Sequence, residues 1–151
     1  MSAHRLGFLL FEGCQGLDLF GPLDAFSIAA DHADGPYEWS TIAVADGPIR
    51  TESGVQILAD CLANERPRVD TLIVPGGRGA RECELDKTTV DDLRWIAGRA
   101  ERVVSICTGA FLLARLGLSE GKTIHHPLEV RGGVPAQLSR LPGRSRSSLR
   151  E

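Results

Sequence analysis

Apolar and polar positions alternate along the chain in blocks that change period. Gly7-Phe8-Leu9-Leu10-Phe11 closes a run that predicts a strand over about residues 5–11. The next block, about 22–31, predicts a helix with Pro22 in its first turn. Tyr37 to Ala45 reads as a strand. Asp46-Gly47-Pro48 then turns into a second run, Ile49 to Leu58, broken by Gly54, and the pair is expected to form a hairpin-like excursion. Asp70 to Pro75, centred on Leu72-Ile73-Val74, predicts a short buried strand. Thr88 or Thr89 can cap a helix running to about Ala100, with Val90, Leu93, Ile96 and Ala97 on one face and Trp95 beside it. Arg102 to Ile106 is the next strand, Thr108 to Leu116 the helix behind it, and Gly117 its stop. Strands alternating with helices imply an α/β fold, a mostly parallel sheet in three layers.

Composition narrows this to one domain. At 151 residues, 42% hydrophobic and 25% charged, the chain can bury a real core. Cys14, Cys61, Cys83 and Cys107 show no spacing that would hold zinc, so neither a metal nor a cofactor is expected. No apolar run approaches the roughly 20 residues needed to cross a membrane. Met1-Ser2-Ala3-His4-Arg5 runs straight into the first strand, from which a cytoplasmic setting with free thiols is expected.

Three segments carry candidate chemistry. In Val103-Val104-Ser105-Ile106-Cys107-Thr108-Gly109-Ala110 a β-branched run stops at a cysteine and a helix begins at once. That spacing puts Cys107 on a sharp strand-to-helix turn, where the helix N-terminus favours thiolate over thiol. A nucleophile elbow has this form, here with sulfur; a small buried cysteine is the plain alternative. Thr71-Leu72-Ile73-Val74-Pro75-Gly76-Gly77 is a strand ended by glycines, whose N–H groups could form an oxyanion hole at the carboxyl end of the sheet. An ordinary strand-to-loop turn reads the same way. Asp18, in Leu17-Asp18-Leu19-Phe20-Gly21-Pro22, is either a hydrogen-bond acceptor for its own turn or a proton donor facing Cys107.

Taken in order, these segments resemble the ThiJ/PfpI superfamily, which has the class I glutamine amidotransferase-like (flavodoxin-like) fold. The matching residues are Leu17-Asp18-Leu19 with Gly21-Pro22, Thr51-Glu52-Ser53-Gly54, Asp70 through Gly77, and Ser105 through Ala114 with Gly117-Leu118. Two branches are similar: the N-terminal domain of AraC-type transcriptional regulators, and isonitrile hydratase. Thr108 departs from the protease-like and deglycase-like members, which place His directly after the cysteine, and this disfavours proteolysis.

After about Thr123 the periodicity ends. Residues 131–151 hold five arginines and a single acid, Glu151, a formal +4, while the whole chain is −3 and residues 1–130 therefore −7. Such a jump inside one domain is abnormal. In the resembled family this position leads into a strand containing Thr-Thr-His-Trp-Arg. Shifting the codons from Ile124 onward by one base makes that motif accessible. The expectation is an incomplete domain over residues 1–123 and a frameshifted, disordered basic tail over 124–151, in which His125 and His126 are accidents of frame. Family sequence in frame just downstream of the stop would support this; its absence would refute it. A basic Ser/Arg-rich tail evolved for nucleic acid or membrane contact is the alternative. A C-terminally truncated sheet is further expected to fold poorly alone and to aggregate or pair through an open face, which a sharp monomeric melt would contradict.

Two functional classes follow. The phrases Thr51-Glu52-Ser53-Gly54 and Asp70-Thr71-Leu72-Ile73-Val74-Pro75 favour a truncated small-molecule-sensing domain of an AraC-type regulator without its DNA-binding domain. Cys107 and Asp18 would then line the pocket. The alternative is an isonitrile hydratase-like hydro-lyase, in which Cys107 attacks, Asp18 manages protons and Thr108 supports the site. The expected partners are a small-molecule effector or substrate, with a second copy of the chain as a candidate. Specific DNA binding by this chain alone and membrane contact are not expected.

Overall fold

Leu6 to Leu10 are all buried, a pattern that only a strand covered on both faces can satisfy. In the computed structural model, which describes residues 3–32 and 37–119, these residues lie in β1 (His4–Leu10) at the centre of a five-stranded sheet. β2 (Tyr37–Ala43) pairs with it from His4 opposite Tyr37 to Leu10 opposite Ala43. On the other side lies β6 (Thr71–Val74), with Leu6 opposite Thr71. β7 (Arg102–Ser105) and β5 (Cys61–Leu62) form the two edges, giving the order β5-β2-β1-β6-β7 with every pairing parallel. The α/β reading of the sequence holds at this level.

Three local expectations are corrected, the first two at the first helix and at the hairpin. The helix α1 spans Gly16–His32, so Asp18 stands in its first turn and Pro22 inside it. It starts early because the Asp18 N–H closes onto Gln15 O at 3.1 Å and Leu19 is fully buried, which offsets the backbone bond that Pro22 cannot make. The hairpin between Tyr37–Ala45 and Ile49–Leu58 does not form, because β2 is taken up by β1 along its whole length. The turn lies within the second run instead. There β3 (Ile49–Arg50) pairs antiparallel with β4 (Gln56–Ile57), Gly54 adopts φ 89° and the Thr51 N–H donates to Val55 O at 2.8 Å.

α3 (Lys87–Arg99) buries Leu93, Ile96 and Ala97 as its periodicity predicts. Its cap is Asp86 rather than Thr88 or Thr89: Asp86 Oδ1 accepts the Thr89 N–H at 2.7 Å. Between β6 and α3 sits a single helical turn, α2 (Gly79–Glu82), of which the sequence pattern gives no sign. α4 (Gly109–Arg115) follows β7 and ends at Leu116 and Gly117, where φ is 69°. Arg66, in the loop before β6, donates through Nε to the buried carboxylate of Asp92 on α3 at 2.7 Å. Arg66→Ala strands that carboxylate and is expected to lower stability by about 1–3 kcal/mol, measurable as a lower urea midpoint. No described helix is long and apolar enough to cross a membrane. The frameshift point, the disordered tail expected over 124–151, and His125 and His126 within it lie outside the described residues.

Candidate functional site

Only Cys107 separates Ile106, whose N–H is bound to Val74 O at 2.9 Å, from Thr108, whose carbonyl accepts the Phe111 N–H of α4 at 3.0 Å. The chain must reverse within that span, and Cys107 does so at φ 51°, in the left-handed region. A non-glycine residue held there costs about 1–3 kcal/mol and persists only when its surroundings dictate it. They do so on both sides. The Gly109 N–H closes onto Ile106 O at 2.9 Å, and a Cβ on Gly109 would stand 2.4 Å from Val74 O, so only glycine lets the turn seat against the end of β6. Thr108 Oγ1 accepts the Gly77 N–H at 3.0 Å, and its hydroxyl is 3.2 Å from Gly77 O. The cysteine side chain is exposed as a result. The elbow geometry expected from the sequence is present.

Asp18 reaches the same turn from α1. Its Oδ2 accepts the Gly76 N–H at 2.9 Å. A Cβ on Gly76 would stand 2.9 Å from Asp18 Oδ2, 2.9 Å from Cys107 Cβ and 2.8 Å from Thr108 N. Carboxylate and cysteine Cβ therefore lie within twice that distance of one another, across a space that only a hydrogen atom on Gly76 leaves free. Gly77, at φ 109°, packs its α-carbon against Gly13 O. The two glycine N–H groups, candidate oxyanion donors by sequence, are held here by Asp18 and Thr108. Either would have to exchange that partner before it could bind a ligand.

An open cleft of about 280 Å³ adjoins the cysteine, lined by Gln15, Glu52, Gly77, Arg78, Arg81, Cys107 and Thr108. Glu52 arrives on the β3–β4 turn, where its N–H donates to Cys14 O at 2.8 Å. Its Oε2 accepts the Arg78 N–H at 3.0 Å. In the sequence Glu52 stands out only through its family wording, and nothing singles out Gln15, Arg78 or Arg81. No local signal marks the two arginines, because α2 is a single turn. A larger cleft of about 690 Å³ lies beside Cys83 and Arg115, but its chemistry is spent. Arg115 donates to Cys83 O at 2.6 Å and Ala80 O at 3.4 Å, and Cys83 is buried. Among the described residues no cluster of His, Cys, Asp and Glu could hold a metal ion.

The model of the DJ-1/PfpI family matches residues 4–134. Isonitrile hydratase of Pseudomonas putida is 32% identical over 141 residues, 89% of this chain and 60% of that protein. The HTH-type transcriptional regulator GbdR of Pseudomonas aeruginosa is 29% identical over 121 residues, 80% of this chain and 33% of that one. A crystal structure of an AraC family transcriptional regulator from Pseudomonas putida superposes with a TM-score of 0.61 at 20% identity. The match covers 79% of this chain and 64% of the other, and at that identity it shows the fold alone. The chain thus spans less than two thirds of each of these three proteins.

Proposed function

We propose, from the premise that the chain belongs to the DJ-1/PfpI family, that it is a small-molecule-sensing domain of the kind carried by AraC-type transcriptional regulators. One observation carries this reading: the phrase that most resembles the regulators, Thr51-Glu52-Ser53-Gly54, also supplies Glu52 to the wall of the cleft. The likeness to GbdR along 80% of the chain agrees with it. The cleft volume suits a small effector. A second copy is the other partner we propose. Leu17 and Phe20, exposed on the outer side of α1, offer apolar surface for it, and a monomer by sedimentation would remove that pairing.

The contact between Asp18, Gly76, Cys107 and Thr108 favours a second reading, an isonitrile hydratase-like enzyme. In it the Cys107 thiolate adds to the terminal carbon of an isonitrile. Asp18 carries a proton, and water displaces the cysteine to leave the N-substituted formamide. The two readings separate in one assay. Incubated with a simple alkyl isonitrile, the chain is expected to yield no formamide, while an effector in the cleft raises Tm and slows alkylation of Cys107. Formamide formed by the chain but not by Cys107→Ala would replace the sensor with the enzyme.

A further inference from the structure

We infer that the cleft beside Cys107 takes its ligand by a carboxylate, held chiefly by Arg81 with Arg78 beside it. This deepens the small-molecule reading and rests on it.

The argument begins with charge. Two guanidinium groups and one carboxylate line the cleft. The carboxylate is already committed: Glu52 accepts the Arg78 N–H and pairs with Arg78 Nη2 at 3.7 Å. Asp18, nearby, accepts from Gly76. Arg81 differs. Its Cζ sits 4.3 Å from the centroid of the Phe111 ring, and among the described residues it has no acidic partner. Phe111 is buried on α4, which makes the ring a fixed platform. A guanidinium stacked on an aromatic face keeps its N–H donors in its own plane, outside the stack. A planar acceptor carrying negative charge, which a carboxylate is, matches that fork. A neutral ligand would leave the Arg81 fork without a charged acceptor. Gln15 then meets the remainder of a small molecule with a neutral amide.

The test uses two alkylating probes of nearly equal size, iodoacetate and iodoacetamide. With both, the Cys107 thiolate forms a C–S bond to the methylene carbon and iodide leaves. They differ in carboxylate against carboxamide, so the ratio of their rates at one cysteine cancels the reactivity of the thiolate. Relative to a neutral cysteine peptide, the iodoacetate-to-iodoacetamide ratio at Cys107 is expected to be about tenfold higher, the size of one charge-assisted contact. Arg81→Gln should return most of that gain and Arg78→Gln a smaller part, with an unchanged far-UV circular dichroism spectrum as the check on folding. Arg81→Lys keeps the charge but not the fork and should fall between. Cys107 labelled first by iodoacetamide, with a ratio equal to the peptide's and indifferent to Arg81→Gln, would overturn the carboxylate inference alone. A Cys107 that neither probe reaches before the other thiols would overturn the cleft reading with it.

Discussion

Alanine at Gly79 is expected to cost the fold about 3 kcal/mol or more. A Cβ there would stand 1.8 Å from Glu12 O, with Glu12 C and Gly13 C at about 3 Å, all of them backbone atoms that no rotamer change can move aside. The same glycine donates its N–H to Gly13 O at 3.0 Å, so displacing the 12–13 loop also breaks that bond. Against a total of roughly 5–15 kcal/mol this is a large loss, expected to lower Tm by about 10 °C. Gly98 supplies the control. It is exposed within α3 with nothing within 4 Å of a new Cβ, so Gly98→Ala should be neutral or stabilising, by up to about 1 kcal/mol from helix propensity. Equal Tm for the two variants would show that the 12–13 loop and the start of α2 are not packed as described.

Limiting iodoacetamide at neutral pH is expected to label Cys107 about tenfold faster, or more, than any of the other three thiols. Exposure is one reason, since Cys107 is exposed whereas Cys14 and Cys83 are buried and Cys61 is half-buried. The second is ionisation of the competitors. Burial pushes the Cys14, Cys61 and Cys83 thiols up from their ordinary range; Arg115 opposes this at Cys83 without reversing it. A raised thiol pKa means less thiolate at neutral pH, roughly tenfold less for each unit, and thiolate is the attacking form. The sign of the pH dependence follows. Labelling of these three should stay slow at neutral pH and rise only in base. Peptide mapping by mass spectrometry reads each site, and Cys14, Cys61 or Cys83 appearing first would remove the elbow from the site.

The elements nearest the site were the most legible. Gly109 and Gly117 punctuate the chain where α4 starts and ends, because each carries a backbone demand that few residues meet. The glycines at 76 and 77 were legible as a turn, but their purpose was not. Gly76 is small because Asp18, 58 residues away along the chain, and Cys107 crowd it from two sides. No local pattern encodes such a contact. Pro22 misled for a related reason: its local signal for a helix start lost to burial of Leu19 and to the turn closed at Gln15. The Asp46-Gly47-Pro48 turn misled because pairing between β1 and β2, decided by the sheet as a whole, outweighed a nearby hairpin. Arg78 and Arg81 were missed because one turn of helix is too short to show a period.

The all-parallel pairing also governs how the chain reaches this structure. No two neighbours in the five-stranded sheet are joined by a tight turn: Leu10 lies opposite Ala43, Leu6 opposite Thr71, and Thr71 opposite Arg102. Every ladder therefore closes a long loop before it gains a contact, which makes for slow folding at a given stability. On a ribosome adding about 5–20 residues per second, β1 emerges several seconds ahead of β6. During that interval Phe8, Leu9, Leu10 and Phe11, all of which end fully buried, face water on a nascent chain. The central strand of the finished sheet is thus the segment a chaperone at the ribosome would meet first and have to hold longest.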